Sequence, residues 1–182
     1  CCTLDFLKWK YPQLPVELCR DVSFVTTQEL EDMYPDLTPK QRENAYLREH
    51  RTAGILQIGG KLRSGKPHDG RAPDYDDWAL NGDIMFYNDV LGCAFELSSM
   101  GVRVSPESLR AQLAEAGCPE RAELPFHRML LAGELPFTMG GGIGQSRMCM
   151  LLLAKEHIGE VQSSLWDAET RRVCRDAGIV LL

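Results

Sequence analysis

Short apolar runs alternate with polar stretches of helical length along this chain. Leu4, Leu7 and Trp9 predict a helix over residues 1–11, which Pro12 and Pro15 break. The Val- and Phe-rich run 22–25 predicts a strand. Thr26 and Thr27 cap a short helix through Leu30 and Met33. Thr38 before Pro39 is an N-cap followed by proline at N1, and the helix it starts runs to about His50. Lys40, Arg42, Glu43, Arg48 and Glu49 make that helix very polar and predict a surface position. Residues 53–58 (AGILQI) predict a buried strand ended by Gly59 and Gly60.

Residues 61–77 then form a long polar stretch without periodicity, in which Lys61, Arg63, Lys66 and Arg71 mix with Asp69, Asp74, Asp76 and Asp77. Such a stretch is either a solvated loop or one that covers a ligand. Residues 83–87 (DIMFY) and 94–104 (AFELSSMGVRV) predict two more strands. In the second, strict alternation puts Glu96, Ser98, Met100 and Val102 on one face. Phe95, Leu97, Ser99, Gly101 and Arg103 take the other. A bulge near Ser98 and Ser99 would instead bring Glu96, Ser99 and Arg103 to one side. Alternation alone leaves both arrangements open.

Ser105 and Pro106 start a helix with an apolar stripe of Leu109, Leu113 and Ala116, ended by Gly117. A further helix spans about 125–132 and stops at Gly133. Residues 136–139 predict a short strand entering the run Gly140, Gly141, Gly142, with Gly144 beyond it. The run reads as a tight turn before a buried apolar helix. Residues 158–165 predict a last strand, Asp167 caps a polar final helix, and 179–182 is an apolar tail. Strands in the middle with helices between them suit an α+β fold with an antiparallel sheet, rather than repeated βαβ units.

A chain of 182 residues with 44% apolar and 25% charged residues forms one soluble domain, taken here as 1–182. The net charge of −6 argues against a dedicated nucleic-acid-binding domain but leaves room for ATP on a local positive patch. No apolar run approaches membrane-span length and no signal-peptide pattern is present, so a cytoplasmic protein without a membrane partner is expected. Seven irregularly spaced cysteines without a C-x-x-C pair read as reduced thiols. His50, His68, His127 and His157 are scattered, so a transition-metal site is not expected. The first residues, Cys1 and Cys2, suggest the later part of a longer protein.

The glycine run carries the chemistry. Glycines let a flat ligand approach the main chain, and a helix start offers free N–H groups to phosphate. Arg147, in the first turn after the run, adds a fixed charge and a planar face. Gln145 stands where the dinucleotide fingerprint needs its third glycine, and no Lys-Ser/Thr pair follows as in a P-loop.

GGGIGQSR before an apolar helix resembles motif 3 of the class II aminoacyl-tRNA synthetase fold. YPDL (34–37), RAPDYDDW (71–78), LNGDI with AFELSSMGVRV (80–104) and GGGIGQSR with HIGEVQ (140–162) occur in the order seen in the ammonia-dependent asparagine synthetases, the aspartate–ammonia ligases. The chain resembles the C-terminal half of that family. The resemblance implies ATP-dependent synthesis of L-asparagine from L-aspartate and ammonia through a β-aspartyl-AMP intermediate, with release of AMP and pyrophosphate. It implies ATP and Mg2+ as cofactors, a homodimer and no tRNA-binding domain.

By the same resemblance, Arg147 stacks on adenine and reaches the distal phosphates. Asp83 and Glu96 lie near magnesium and ATP, and their oxygens suit that hard cation. Arg103 grips aspartate, with Ser99 beside it. Asp76 belongs to the nucleotide pocket, and Gly142 and Gly144 present backbone to the adenosine. With the chemistry at the β-carboxylate, Arg103 is expected on the α-carboxylate.

The family's motif 2 arginine, which binds the α-phosphate, has no counterpart here. An N-terminal half of the same protein is therefore expected to complete the site. About ten residues that the family carries between DDW and LNGD are also missing. Two other readings share the pattern. An aspartyl- or asparaginyl-type tRNA synthetase would transfer its adenylate to tRNA, and a non-catalytic paralogue would not bind ATP.

Overall fold

The computed structural model describes residues 2–16 and 18–182. The expected first helix is α1, Cys2–Lys10; its Cys1 start lies outside the described residues. Strand β1 (Ser23–Thr26) runs straight into helix α2 (Thr27–Met33). Thr26 caps that helix: its N–H donates to Glu29 Oε2 at 2.7 Å and its hydroxyl accepts from the Glu29 N–H at 3.2 Å. Helix α3 (Pro39–His50) starts at Thr38, whose N–H donates to Gln41 Oε1 at 2.9 Å.

Strands β2 (Thr52–Leu56), β3 (Asp76–Asn88), β4 (Cys93–Arg103) and β5 (Met139–Ile143) complete a five-stranded sheet in the order β1-β2-β3-β4-β5. It is antiparallel except at its first edge, where β1 and β2 run parallel. The α+β expectation holds. Helices α4 (Pro106–Glu115) and α5 (Pro125–Leu131) lie between β4 and β5; α6 (Gln145–Leu152) and α7 (Ala168–Asp176) follow.

Three apolar clusters hold these layers. Val25, Ala53, Ile55 and Met85 pack on one face of the sheet with Leu30, Tyr46 and Leu47 from α2 and α3. Phe86 and Leu97 pack on the other face with Leu151 of α6. Val104, Leu109, Leu113 and Leu130 join α4 and α5 beyond the sheet's end. Each fully buried leucine stabilises the fold by about 1.5–3 kcal/mol.

Several elements differ from the sequence reading. Helix α3 is a surface helix on one face only: Lys40, Arg48 and Glu49 are exposed as expected, but Arg42 and Glu43 are buried with Tyr46 and Leu47. Positions three and four apart share a helix face, and this one carries charge into the interior. Arg42 is satisfied there by Glu31 at 3.4 Å and by the Tyr34 carbonyl at 3.0 Å. The strand expected at 83–87 is the end of the much longer β3, which begins in the DDW motif. Trp78, Ala79 and Leu80 lie within that strand, and its register against β4 slips between Asp76 and Asn81.

The strand expected at 136–139 begins only at Met139 and contains the glycines, which are therefore strand rather than turn. Without side chains they still pair, because Ser98 to Val102 supplies a complete backbone partner. Helix α6 buries only Met150 and Leu151, and so is a half-exposed cover for the sheet. The strand expected at 158–165 is absent. A single 3-10 turn, Ile158–Glu160, stands there, held by the Glu160 carboxylate accepting from the N–H groups of Glu156 and His157 at 2.8 and 3.1 Å. Among the described residues no strand runs beside it to complete a ladder.

Candidate active site

The face of the sheet beyond α3 is set by one extra residue in β4. Asp83 pairs with Ser99 and Ile84 with Ser98, but Met85 pairs with Glu96. Leu97 is left over as a bulge and packs against Phe86 and Leu151 on the far face. The bulge resets the alternation, so Glu96 joins Ser99 and Arg103 on one face. It lies one or two residues before the position considered from the sequence. Directly paired residues share a face, so Asp83, Ser99 and Gly142 form a row across β3, β4 and β5.

Arg103 and Asp76 form an ion pair at one end of this face. The Arg103 guanidinium lies 4.1 Å from the centre of the Tyr75 ring and donates to the Tyr75 hydroxyl at 2.9 Å. Two glycines make room for the pair. A Cβ on Gly101 would stand 2.7 Å from the Asp76 carboxyl carbon, and one on Gly140 would stand 2.6 Å from an Arg103 guanidinium nitrogen. The pair therefore rests directly on the backbone of β4 and β5. Asp76 is fixed from behind, since its carbonyl accepts from Gln112 of α4 at 3.1 Å.

Asp83 occupies the middle of the face, buried and ion-paired with Arg71. Burial pushes its carboxyl above the usual range; the Ser99 hydroxyl and the Arg71 charge pull it back, and the Glu96 and Glu43 charges push it up again.

At the other end, Arg147 donates to the Glu96 carbonyl at 2.9 Å and lies 3.7 Å from the Glu96 carboxylate. Its guanidinium is 5.7 Å from the centre of the Phe95 ring. Gly144 caps α6 and donates its N–H to the Leu97 carbonyl at 2.8 Å, which ties the helix start to the bulge. Gly142 has open space where a Cβ would stand.

The structure thus gathers the named residues into three stations along β4: Asp76 with Arg103, Asp83 with Ser99, and Glu96 with Arg147. Seven residues of strand separate the outer arginine from Glu96, about 20 Å at the usual rise. Asp76 sits at the Arg103 end rather than near Arg147.

Four residues at the site carried no role in the sequence reading. Arg71 and Tyr75 lie within the RAPDYDDW motif, where position alone does not tell which side chains converge. Glu43 looked like part of a solvated face; its spacing from Tyr46 and Leu47 was the available signal. His68 looked like one scattered histidine, yet its Nε2 lies 3.0 Å from Glu43 Oε1 and both side chains are buried. Among the described residues no group of three or more His, Cys, Asp or Glu gathers as a metal cluster.

The family model described as aspartate-ammonia ligase matches residues 2–178. The chain belongs to the aspartate–ammonia ligase family. The aspartate–ammonia ligase of Clostridium tetani is 60% identical over 180 residues, which are 99% of this chain and 53% of that protein. The enzyme of the same name from Clostridium perfringens strain 13 is 58% identical over 180 residues, covering 99% and 54%. The chain thus spans about half the length of the aspartate–ammonia ligases it matches.

Among solved structures, the aspartyl tRNA synthetase from Entamoeba histolytica matches with a TM-score of 0.57 at 20% identity, covering 87% of this chain and 36% of that one. The asparaginyl-tRNA synthetase from Pyrococcus horikoshii matches with a TM-score of 0.52 at 16% identity, covering 86% and 40%. These likenesses show that this aspartate–ammonia ligase family member has the fold of the class II synthetases.

Proposed function

We propose that this chain supplies the sheet face on which an aspartate–ammonia ligase forms and consumes β-aspartyl-AMP. The observation that carries the reading is the row of stations on β4, with one arginine at each end and the Asp83–Ser99 pair between them, in a chain of this family. Arg103 receives the α-carboxylate of aspartate as a two-pronged donor, and Asp76 and Tyr75 set its plane. That leaves the β-carboxylate toward Ser99 and Asp83. Arg147 covers the nucleotide end, and the open space over Gly142 admits the adenosine.

One oxygen of the β-carboxylate bonds to the α-phosphorus of ATP as the bond to pyrophosphate breaks. Ammonia then attacks the acyl carbon, the bond to AMP breaks, and a proton leaves the new amide nitrogen for solvent. The charge that develops on the phosphates is met by guanidinium groups already in place.

Asp83 and Glu96 fit Mg2+. They are oxygen donors on one face; burial, with the Glu96 and Glu43 charges added to it, raises the Asp83 carboxyl, and a dication would favour its ionised form. Two protein carboxylates, with ATP phosphates and water for the rest, are the usual share for this metal. Bound there, it would neutralise phosphate charge. The reading includes the remaining half of a family-length protein, which would supply the α-phosphate arginine. A cytoplasmic location is supported by the six free cysteines among the described residues, and a homodimer by the resemblance to class II synthetases.

The test is an assay of the family-length protein with aspartate, ATP, magnesium and ammonia. Asparagine, AMP and pyrophosphate should appear in equal amounts, and Arg147→Ala should abolish them while leaving thermal unfolding unchanged. Normal turnover by that variant would refute the assignment of Arg147; transfer of the adenylate to tRNA would replace the function.

A further inference from the structure

The polar stretch between β2 and β3 is held to the rest of the fold at a few points, and among the described residues one of them is a buried pair of titratable side chains. The stretch first closes a small turn: the Leu62 N–H donates to the Lys66 carbonyl at 3.0 Å, and Lys61 and Pro67 form a bridge. Ser64 and Arg63 fasten that turn to α2, the first through Glu31 at 2.7 Å and the second through Asp32 at 2.8 Å. Next comes His68. Its side chain is 1% exposed and the Glu43 side chain 4% exposed, and they meet at 3.0 Å. Lys40 of α3 donates to both oxygens of the Glu43 carboxylate, at 3.2 and 3.0 Å, and lies 3.8 Å from Asp69. Three residues after His68, Arg71 meets Asp83. Asp74 then meets His127 of α5 at 2.9 Å, and Tyr75 meets Arg103.

A buried imidazole against a buried carboxylate costs desolvation on both sides, and His68 Nδ1 has no hydrogen-bond partner. Lys61–Ser64 is already anchored, and an apolar pair at 43 and 68 would fill the space without that cost. What the pair adds is direction: a hydrogen bond fixes the main chain at 68 relative to α3, while apolar contact does not. From there Arg71 has only three residues of chain in which to reach Asp83. The Asp83–Arg71 pair alone would leave the arginine's main chain free to wander, since Gly70 precedes it.

We propose that His68, held by Glu43, is a positioning residue that delivers Arg71 to the middle of the active-site face. The inference rests on the function proposed above, because it takes Asp83 and Ser99 as the centre of the adenylate site. It goes beyond that function by giving the buried His68–Glu43 pair a role in catalysis through Arg71. Displacing a charged group at a reacting centre by about 1 Å is enough to cost on the order of a hundredfold in rate.

The test compares His68→Ala, His68→Gln, Arg71→Ala and the double variant His68→Ala/Arg71→Ala in the family-length protein. The Gln Nε2 can still donate to Glu43. His68→Ala should lower kcat/KM about as far as Arg71→Ala, about a hundredfold. The double variant should be no worse than Arg71→Ala, since the two act as one unit. His68→Gln should recover most of the loss. Hydrogen exchange should quicken in 66–74 for His68→Ala while β3 and β4 keep their protection.

Multiplied losses in the double variant would overturn the proposal, as would an unchanged exchange rate in 66–74. If His68→Ala does not fold, His68→Gln decides: activity far below the parent in a folded protein would refute the hydrogen bond as the device. If the parent protein itself makes no asparagine, the functional reading fails, and the exchange measurement still judges the anchoring.

Discussion

Gly140→Ala is a substitution that should damage activity without damaging the fold. The new Cβ would stand 2.6 Å from an Arg103 guanidinium nitrogen, and the guanidinium carbon would be 3.3 Å away. Ordinary contact needs about 3.5–4.0 Å, so the guanidinium must retreat by about 1 Å. The obstacle is the far end of a flexible side chain, so the backbone of β5 need not move. Gly140 does not have a positive φ, so alanine is conformationally acceptable there. Replacing glycine in a strand recovers about 0.5–1 kcal/mol of chain entropy, which offsets part of the lost Arg103–Asp76 contact.

Unfolding in urea should therefore shift by less than about 1 kcal/mol. Arg103, by contrast, would be pushed away from the backbone of β5 at Gly140. With Arg103 in its proposed place on the α-carboxylate, a 1 Å error in its position should cut kcat/KM for aspartate by about a hundredfold. KM for ATP should change little, because Arg147 lies at the other end of β4, against Glu96. The assay is steady-state kinetics with each substrate varied in turn, beside a urea titration. Parental kinetics for aspartate would show that the Arg103 contact with the backbone of β5 has no part in catalysis. A large loss of stability would show that the backbone, not the side chain, gives way.

Two further outcomes test other parts of the structure. Asp83 holds its proton more tightly folded than unfolded, because burial raises it from 3.8. The parent therefore loses stability as pH rises from about 4 through the raised value, whereas Asp83→Asn has no proton to lose there. The stability difference between variant and parent, from denaturant titrations at each pH, should grow in the variant's favour across that window and then level off; a flat difference would place Asp83 in water. Gly59→Ala should destabilise the fold by about 2–5 kcal/mol, since φ is +122° and a Cβ would stand 2.5 Å from the Trp78 ring. An unchanged urea midpoint would refute that packing.

The sequence by itself determined the parts whose signals are local. Thr26, Thr38 and Ser105 start their helices because a hydroxyl or its N–H finds a partner within three residues, whatever the rest of the chain does. The Asp167 cap follows the same rule. The motifs that gave the family were also legible, because they are contiguous. Arg103, Arg147, Asp83, Glu96, Ser99, Asp76, Gly142 and Gly144 could each be named from them.

Tertiary structure decided how those residues stand toward one another. Alternation could not place Glu96 on the face of Ser99, because one leftover residue, Leu97, flips every side chain before it, and only the pairing of Met85 with Glu96 shows where it falls. A run of three glycines has no strand signal of its own, and β5 exists because β4 offers it a ladder. Residues 158–165 had the pattern of a strand but, among the described residues, no neighbour to pair with. Glu43 reads as a solvated charge until His68, 25 positions away, lies against it. Arg103 and Asp76 are 27 positions apart and meet only because β3 folds back on β4. Caps and motifs are set by bonds that close within a turn of chain; the site is set by bonds that close across the sheet, and no window of sequence contains both partners.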